Sequence, residues 1–122
     1  MTEKIFKEGP GWRLGFDPTA PLYPFLIGGN DWAVELTQTE FDDFQRLSRE
    51  LRQTVTAIAP QLMAEEMISC EVESEGLWME IEGDVRAYEL RFILRQGRRA
   101  EGQWAAAVVA EFFIALDQIT LV

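Results

Sequence analysis

The sequence predicts an α+β protein in which a sheet of about six antiparallel strands is backed on one face by two helices. Three observations predict this fold. Residues 68–94 alternate apolar and polar side chains, which is the period of a half-buried strand. Turn residues interrupt that alternation twice, and two other stretches, 37–62 and 103–117, repeat apolar residues every three or four positions.

The alternating region is predicted to form three consecutive strands over residues 68–73, 77–82 and 85–94. Two-residue turns at Glu75-Gly76 and Gly83-Asp84 set Val72 opposite Met79, and Met79 opposite Tyr88. A shift of the register by one residue would expose all of these apolar side chains to water. Both turns give the register that keeps them on one face, which is strong evidence that this face packs on the core. The residues predicted to face the core are Ile68, Cys70, Val72, Leu77, Met79, Ile81, Tyr88, Leu90, Phe92 and Leu94.

The opposite face of these strands is acidic, with Glu71 predicted opposite Glu80. Like charges placed opposite each other destabilise a sheet. The face is either a solvated surface that keeps the protein soluble or a docking surface for a cationic partner, centred on Trp78. The candidate partner-binding residues, including a nearby basic loop, are Trp78, Glu71, Glu73, Glu80, Glu82, Arg91, Arg95, Arg98 and Arg99.

The remaining strands are shorter. Residues 12–16 alternate and end at Asp17-Pro18, and residues 25–27 and 32–36 flank Gly28-Gly29, which predicts a hairpin. The glycines are interpreted as a tight turn and not as a phosphate loop, because no Gly-Lys-Ser/Thr follows. Residues 1–8 are expected to be a tail or short lead-in.

The first helix has a clear beginning. Thr37 is placed to cap the free amides and Glu40 to return a hydrogen bond, and Asp42 is spaced for an ion pair with Arg46. Pro60 is expected to end or kink the helix near residue 59.

Residues 96–102 are predicted to be a basic loop. Arg98 and Arg99, with Arg95, could bind a phosphate or a carboxylate, or could equally neutralise the acidic strands beside them.

The second helix is predicted over residues 103–117, and its apolar arc covers about half of the circumference, more than one-sided packing needs. Either a deep groove of its own subunit or a second copy of the chain could cover this arc, and a symmetric dimer is favoured. The candidate dimer-interface residues are Trp104, Val108, Val109, Phe112, Phe113 and Leu116.

The length, composition and net charge of the chain restrict the class of protein. The 122 residues are 48% hydrophobic, which suits one domain over residues 1–122. A net charge of −10 disfavours nucleic acid. A single cysteine, Cys70, and the lack of an apolar leader or membrane-length run predict a cytoplasmic protein without membrane contact.

An enzyme is not expected. The sequence has no histidine, no nucleophile elbow and no clustered cysteines, so no catalytic residue, metal or cofactor is predicted.

Several segments resemble a cyanobacterial family of unknown function, the domain-of-unknown-function family numbered 1818. The similar segments are residues 11–15, 26–29 and 31–33, Leu36-Thr37 with Glu40 and Phe41, and residues 98–102 before Trp104. The resemblance implies a curved sheet like that of the whirly and positive-cofactor-four single-stranded-DNA-binding regulators, with a dimer built through the helix. It brings no catalytic residues.

Fold does not confer function, and single-strand binders need a cationic groove with stacking aromatics. We therefore expect a dimeric, non-enzymatic adaptor or regulatory protein with an unidentified protein partner. The alternative is a single-stranded nucleic-acid-binding regulator that confines contact to Arg91, Arg95, Arg98 and Arg99.

Overall fold

The computed structural model describes residues 3–119, which form eight strands and two helices, with a short 3₁₀ helix (Ala59–Gln61) after the first helix. In chain order these are β1 (Ile5–Gly9), β2 (Trp12–Phe16), β3 (Phe25–Gly28), β4 (Ala33–Leu36), α1 (Gln38–Ile58), β5 (Met67–Glu73), β6 (Leu77–Asp84), β7 (Ala87–Leu94), β8 (Ala100–Trp104) and α2 (Ala106–Gln118).

The α+β class is confirmed, but the prediction of one sheet of about six strands is wrong. The strands form two four-stranded antiparallel sheets, a first sheet of β1–β4 and a second sheet of β5–β8. The two strands missed by the sequence prediction are β1, expected as a tail, and β8, expected as part of a loop and of the second helix. In β8 the inward position between Ala100 and Trp104 is Gly102, so no apolar alternation marks the strand.

The predicted core face of the second sheet is confirmed, although one turn lies elsewhere. Val72 pairs with Met79 as predicted, but Met79 pairs with Phe92 and not with Tyr88. The second turn is at Val85-Arg86, because β6 continues through Asp84 before the chain reverses. The displacement is an even number of residues, so the same side chains still face the core.

The beginning of α1 follows the prediction. The Thr37 hydroxyl accepts a hydrogen bond from the Glu40 amide at 3.1 Å, and the Glu40 carboxylate accepts one from the Thr37 amide at 2.8 Å. Arg46 pairs with Asp43 and Glu50 instead of the predicted Asp42. The second helix begins at Ala106, later than predicted.

Both sheets repeat one unit of four strands followed by a helix. Phe6 pairs with Gly15 in the first sheet, and the residues 65 positions later, Glu71 and Glu80, pair in the second. The same offset relates the pairing of β2 with β3 to that of β6 with β7. The first three strands of the two sheets therefore share one register.

In the fourth strand and the helix the offset becomes 68. Leu36 at the end of β4 corresponds to Trp104 at the end of β8, and the helix cap Thr37 corresponds to Ala105. The three additional residues lie in the longer loop of the second unit, between β7 and β8.

The helices hold the two units together. Helix α1 contacts β4 of its own unit and β5 and β6 of the second, while α2 contacts β7 of its own unit and β1 and β2 of the first. The inner faces of both sheets and both helices therefore contribute to one hydrophobic core. The outer faces of the sheets are left for solvent or partners.

Candidate functional site

The outer face of the second sheet carries a cluster of acidic side chains, which we call the acidic face. Its members, on β5, β6 and β7, are Glu71, Glu73, Trp78, Glu80, Glu82, Glu89 and Arg91. Glu71 lies opposite Glu80, as predicted, and Glu82 lies opposite Glu89. All of these side chains are at least partly exposed, because their strands alternate with the buried row beneath.

Trp78 lies in the middle strand of this face and is half-buried. Its neighbours across the ladder are Glu73 on β5 and Ile93 on β7. The guanidinium carbon of Arg91 lies 5.1 Å from the centroid of the Trp78 ring, within cation–π range. The face thus has an aromatic centre that is partly covered by one cation.

Both arginines beside this aromatic centre are already paired. Arg91 donates to Glu80 at 3.0 Å, and Arg95 donates to Glu73 at 3.2 Å and to the Ser74 carbonyl at 2.6 Å. Glu71, Glu82 and Glu89 form no ion pair within residues 3–119. The face therefore keeps a net negative charge.

Arg98 does not join the acidic face. It crosses to the first unit, where it donates to the Glu40 carboxylate at 2.9 Å and to the Glu35 carbonyl at 2.6 Å, and its guanidinium lies 4.4 Å from the Tyr23 ring centroid. Partial burial is the largest single influence and lowers the pKa of Arg98, but the hydrogen bonds and negative charges of Glu40 and Tyr23 together outweigh it, so the pKa is raised. Arg98 is a link between units, and Arg99 borders a separate depression at the end of the second sheet.

The candidate dimer-interface residues lie in the core of a single chain. Trp104, Val109, Phe112, Phe113 and Leu116 are at most 5% exposed, and Val108 is partly buried against them. The rings of Trp104 and Phe112 stack with centroids 4.4 Å apart. Packing within one chain thus accounts for the breadth of the apolar arc, so the arc is not itself an argument for a second copy.

Sequence reasoning missed a depression on the outer face of the first sheet. It has a volume of about 450 Å³ and is mostly apolar, with Phe6, Leu26 and Tyr23 around Gly15. The equivalent place on the acidic face holds a smaller depression of about 180 Å³ lined by Glu80, Glu82, Glu89, Arg91 and Gln103. Equivalent outer faces of the two units therefore differ in chemistry, because one is mostly apolar and the other is charged.

A comparison of the units would have predicted that depression. The run 73–79 matches the run 8–14 in its glutamate, its glycine and its inward apolar residues. Continuing the offset places Gly15 where the acidic face has Glu80, and Leu26 where it has Arg91.

Within residues 3–119, no three acidic or cysteine side chains come together in a way that could hold a metal ion. In the same part of the chain, neither helix has the length and hydrophobicity needed to cross a membrane.

The fold and this face define a small α+β protein built from two copies of a four-stranded unit, with one acidic outer surface. Residues 7–119 match the family described as a domain of unknown function, DUF1818, and the chain belongs to that family. The resemblance stated from the sequence is thereby confirmed.

One solved structure shares this fold over nearly its whole length. It is described as a protein with unknown function from the DUF155 family, from Prochlorococcus sp. NATL2A, and it is 34% identical to this chain. The similarity covers 94% of this chain and 98% of that chain, with a TM-score of 0.90. No curated protein matches the chain.

Proposed function

We propose that this protein is a non-enzymatic adaptor or regulatory protein that binds a cationic protein partner through the acidic face. The observation that carries the proposal is the half-buried Trp78 at the centre of a face on which three glutamates form no ion pair within residues 3–119. An aromatic anchor inside a charged rim is the usual arrangement of energetic centres in protein interfaces.

The charges of the face favour a cationic partner. Glu82 and Glu89 lie directly opposite each other, and such like-charge pairs destabilise a sheet by roughly 0.2–1 kcal/mol. A lysine or arginine of a partner placed between them would remove that cost on binding. The charge also increases the rate at which a cationic partner is encountered.

Arg91 partly covers Trp78, but it is held there weakly enough for a partner to displace it. Its guanidinium lies over the ring and pairs with Glu80 on an exposed surface, where such contacts are weak. A partner cation could replace Arg91 above the ring without leaving Glu80 unpaired. The site then offers the cation both an aromatic face and carboxylates.

Single-stranded nucleic acid is the less favoured ligand. Three of the four arginines that it would need, Arg91, Arg95 and Arg98, are in ion pairs with Glu80, Glu73 and Glu40. A polyanion would have to break these pairs and approach the unpaired glutamates. Fluorescence anisotropy with labelled oligonucleotides at low salt tests this alternative, and micromolar binding that falls steeply with salt would support it.

The test of the proposal is affinity capture with the full chain, comparing wild type with the Glu80→Lys/Glu82→Lys double variant. We expect basic proteins to be captured by wild type, released by added salt and lost with the double variant. The melting temperature should be nearly unchanged. The lysine introduced at position 82 breaks no ion pair and gains attraction to Glu89, which offsets the loss of the Glu80–Arg91 pair.

A matched control keeps the total charge change but moves it off the face. Glu3→Lys/Glu65→Lys alters two exposed glutamates, one before β1 and one after α1, and should retain the partner. Capture that survives in the Glu80→Lys/Glu82→Lys variant would show that the acidic face is only a solvated surface.

We also propose a symmetric homodimer in which α2 meets its copy. The outward surface of this helix carries Ile114, which is 61% exposed, on the same side as Ala107 and Ala110. Light scattering after size exclusion should give twice the chain mass, and Ile114→Lys should give a monomer. Met63→Lys, at an apolar site that is 71% exposed, should remain a dimer. A monomeric wild type contradicts the proposal.

A further inference from the structure

Arg99 holds an unusual backbone conformation. Its φ is 56°, and it is the one residue other than glycine with positive φ in the part of the chain that the structure describes. This region is unfavourable for a residue with a Cβ atom, whereas Gly97, two positions earlier, takes it freely at 64°. Non-glycine residues held there often occur at functional sites.

No ion pair within the described residues accounts for an arginine at this position. The Arg99 guanidinium pairs with no carboxylate within residues 3–119, although the protein carries a net charge of −10. By contrast, the adjacent Arg98 and the nearby Arg95 each have a glutamate partner. The side chain of Arg99 is therefore available to an anion from outside.

Arg99 lines a depression of about 360 Å³ at the end of the second sheet, a volume suited to a small ligand. The lining residues are Ile93, Leu94, Arg95, Arg99, Ala100 and Glu101. The lining thus combines two arginines and one glutamate with three apolar residues.

Arg95 is held in place for such a role, and its pair with Glu73 occupies only one of its two terminal nitrogens, so the other can bind a small anion without breaking that pair. One of its terminal nitrogens donates to the Ser74 carbonyl at 2.6 Å and to Glu73 at 3.2 Å, while its Nε is buried without an acceptor. A fixed guanidinium loses little side-chain freedom when it binds an anion, and a second guanidinium adds further donors to the same oxygens.

We propose that Arg95 and Arg99 form a binding site for an oxyanion, a carboxylate or a phosphate, carried on a small apolar or aromatic group. The guanidinium groups receive the anion, and Ile93 and Ala100 contact the apolar body. Glu101, at the rim, disfavours ligands of high negative charge. This site adjoins the acidic face, because Arg95 pairs with Glu73 and Ile93 lies opposite Trp78, but the proposal does not rest on the protein-binding role of that face.

The proposal is tested by following backbone amide resonances of the full chain during titration with phenyl phosphate, benzoate and inorganic phosphate. We expect saturable shifts confined to residues 93–101, with phenyl phosphate or benzoate binding more tightly than inorganic phosphate because of the apolar lining residues. The stronger of the two aromatic probes identifies the anion.

The decisive variant is Arg99→Gly, because glycine accepts the observed φ and removes the cation. It should reduce the affinity for the best-binding probe by roughly tenfold or more, and the melting temperature should stay the same or rise. Arg99→Lys should bind with intermediate affinity, because it keeps the charge but not the planar fork. Arg49→Ala, which removes an exposed cation from α1, is the control and should change nothing.

Three results would overturn the proposal. The first is the absence of saturable shifts with all three probes at millimolar concentration. The second is equal affinity in wild type and Arg99→Gly. The third is a lower melting temperature for Arg99→Gly, which would assign Arg99 a structural role.

Discussion

Trp104 donates its indole N–H to the main-chain carbonyl of Gly28 across 2.9 Å. This bond joins the last strand of the second unit to the third strand of the first, and the indole is only 1% exposed. Gly28 is also buried, so the loss of this donor would remove a hydrogen bond from a carbonyl inside the protein.

Replacing Trp104 by Phe should therefore destabilise the protein. The variant leaves a buried carbonyl without its donor and removes part of the ring stack with Phe112, at a cost of about 2–4 kcal/mol. Urea unfolding followed by far-ultraviolet circular dichroism measures the change. Trp78→Phe, on the acidic face, is the control and should cost less than about 1 kcal/mol.

Gly102 allows the two units to approach each other. A Cβ atom added there would overlap the ring of Trp32, which also packs on Phe92 and Trp104. Gly102→Ala should cost about 1–3 kcal/mol, because the ring cannot move without disturbing its neighbours.

The overlap can be tested by also removing the Trp32 ring, which the added Cβ atom would meet. Combining Gly102→Ala with Trp32→Leu should cost less than the two single changes added together. Gly76→Ala is a matched control, because its Cβ would meet only the flexible end of Gln96. Additive costs in the double variant would show that the ring is not the obstacle.

The acidic face should respond differently to two similar charge reversals. Glu82→Lys replaces a repulsive pair with Glu89 by an attractive one, and thermal unfolding should show a gain of a few tenths of a kcal/mol, roughly. Glu80→Lys places its charge against Arg91 and should lower the stability by a similar amount. The contrast should shrink in high salt, and equal effects of both variants would mean that the ladder pairs do not interact.

Asp17 provides a prediction about pH. The Thr19 hydroxyl donates to this carboxylate at 2.6 Å, and with the Thr19 amide and Lys4 it lowers the pKa of Asp17, against a small opposing effect of burial. A lowered folded-state pKa contributes stability above the unfolded pKa, and this contribution is lost as the pH falls through the folded value.

Thr19→Ala should therefore raise the pKa of Asp17 toward that of an ordinary aspartate, measured by titration of the carboxyl carbon resonance. The variant should also show a slightly weaker loss of stability in acid. Thr56→Ala removes a hydroxyl from the exposed side of α1 and should leave the Asp17 titration unchanged. A midpoint that does not move in Thr19→Ala would assign the lowered pKa to another cause.

Local chemistry made much of the second sheet predictable. The alternation over residues 68–94 identified its core face and the acidic face, and the capping residues Thr37 and Glu40 identified the beginning of α1. These features depend on neighbours within a few residues. The misplaced turn at Gly83 was harmless because the register moved by an even number of positions.

The rest depended on contacts that are distant in sequence. Trp104 was attributed to the second helix because a tryptophan fits an apolar arc as well as the end of a strand, and only its contacts with Gly28 and Phe92 distinguish the two. The pairing of Arg98 with Glu40, 58 residues away, was likewise not readable from the sequence. The division into two sheets followed from the repeat, which an internal comparison of the chain would have revealed.

The duplication has a consequence for how this protein tolerates dilution. Two separate subunits that pack through their helices dissociate as the protein concentration falls. Here each helix packs on the sheet of the other unit, but both units belong to one polypeptide, so they cannot dissociate. The paired arrangement of the two units is thus independent of protein concentration. The two units also need not have the same sequence, as the subunits of a homodimer must. The outer face of the first sheet can therefore be apolar while the equivalent face of the second sheet is acidic.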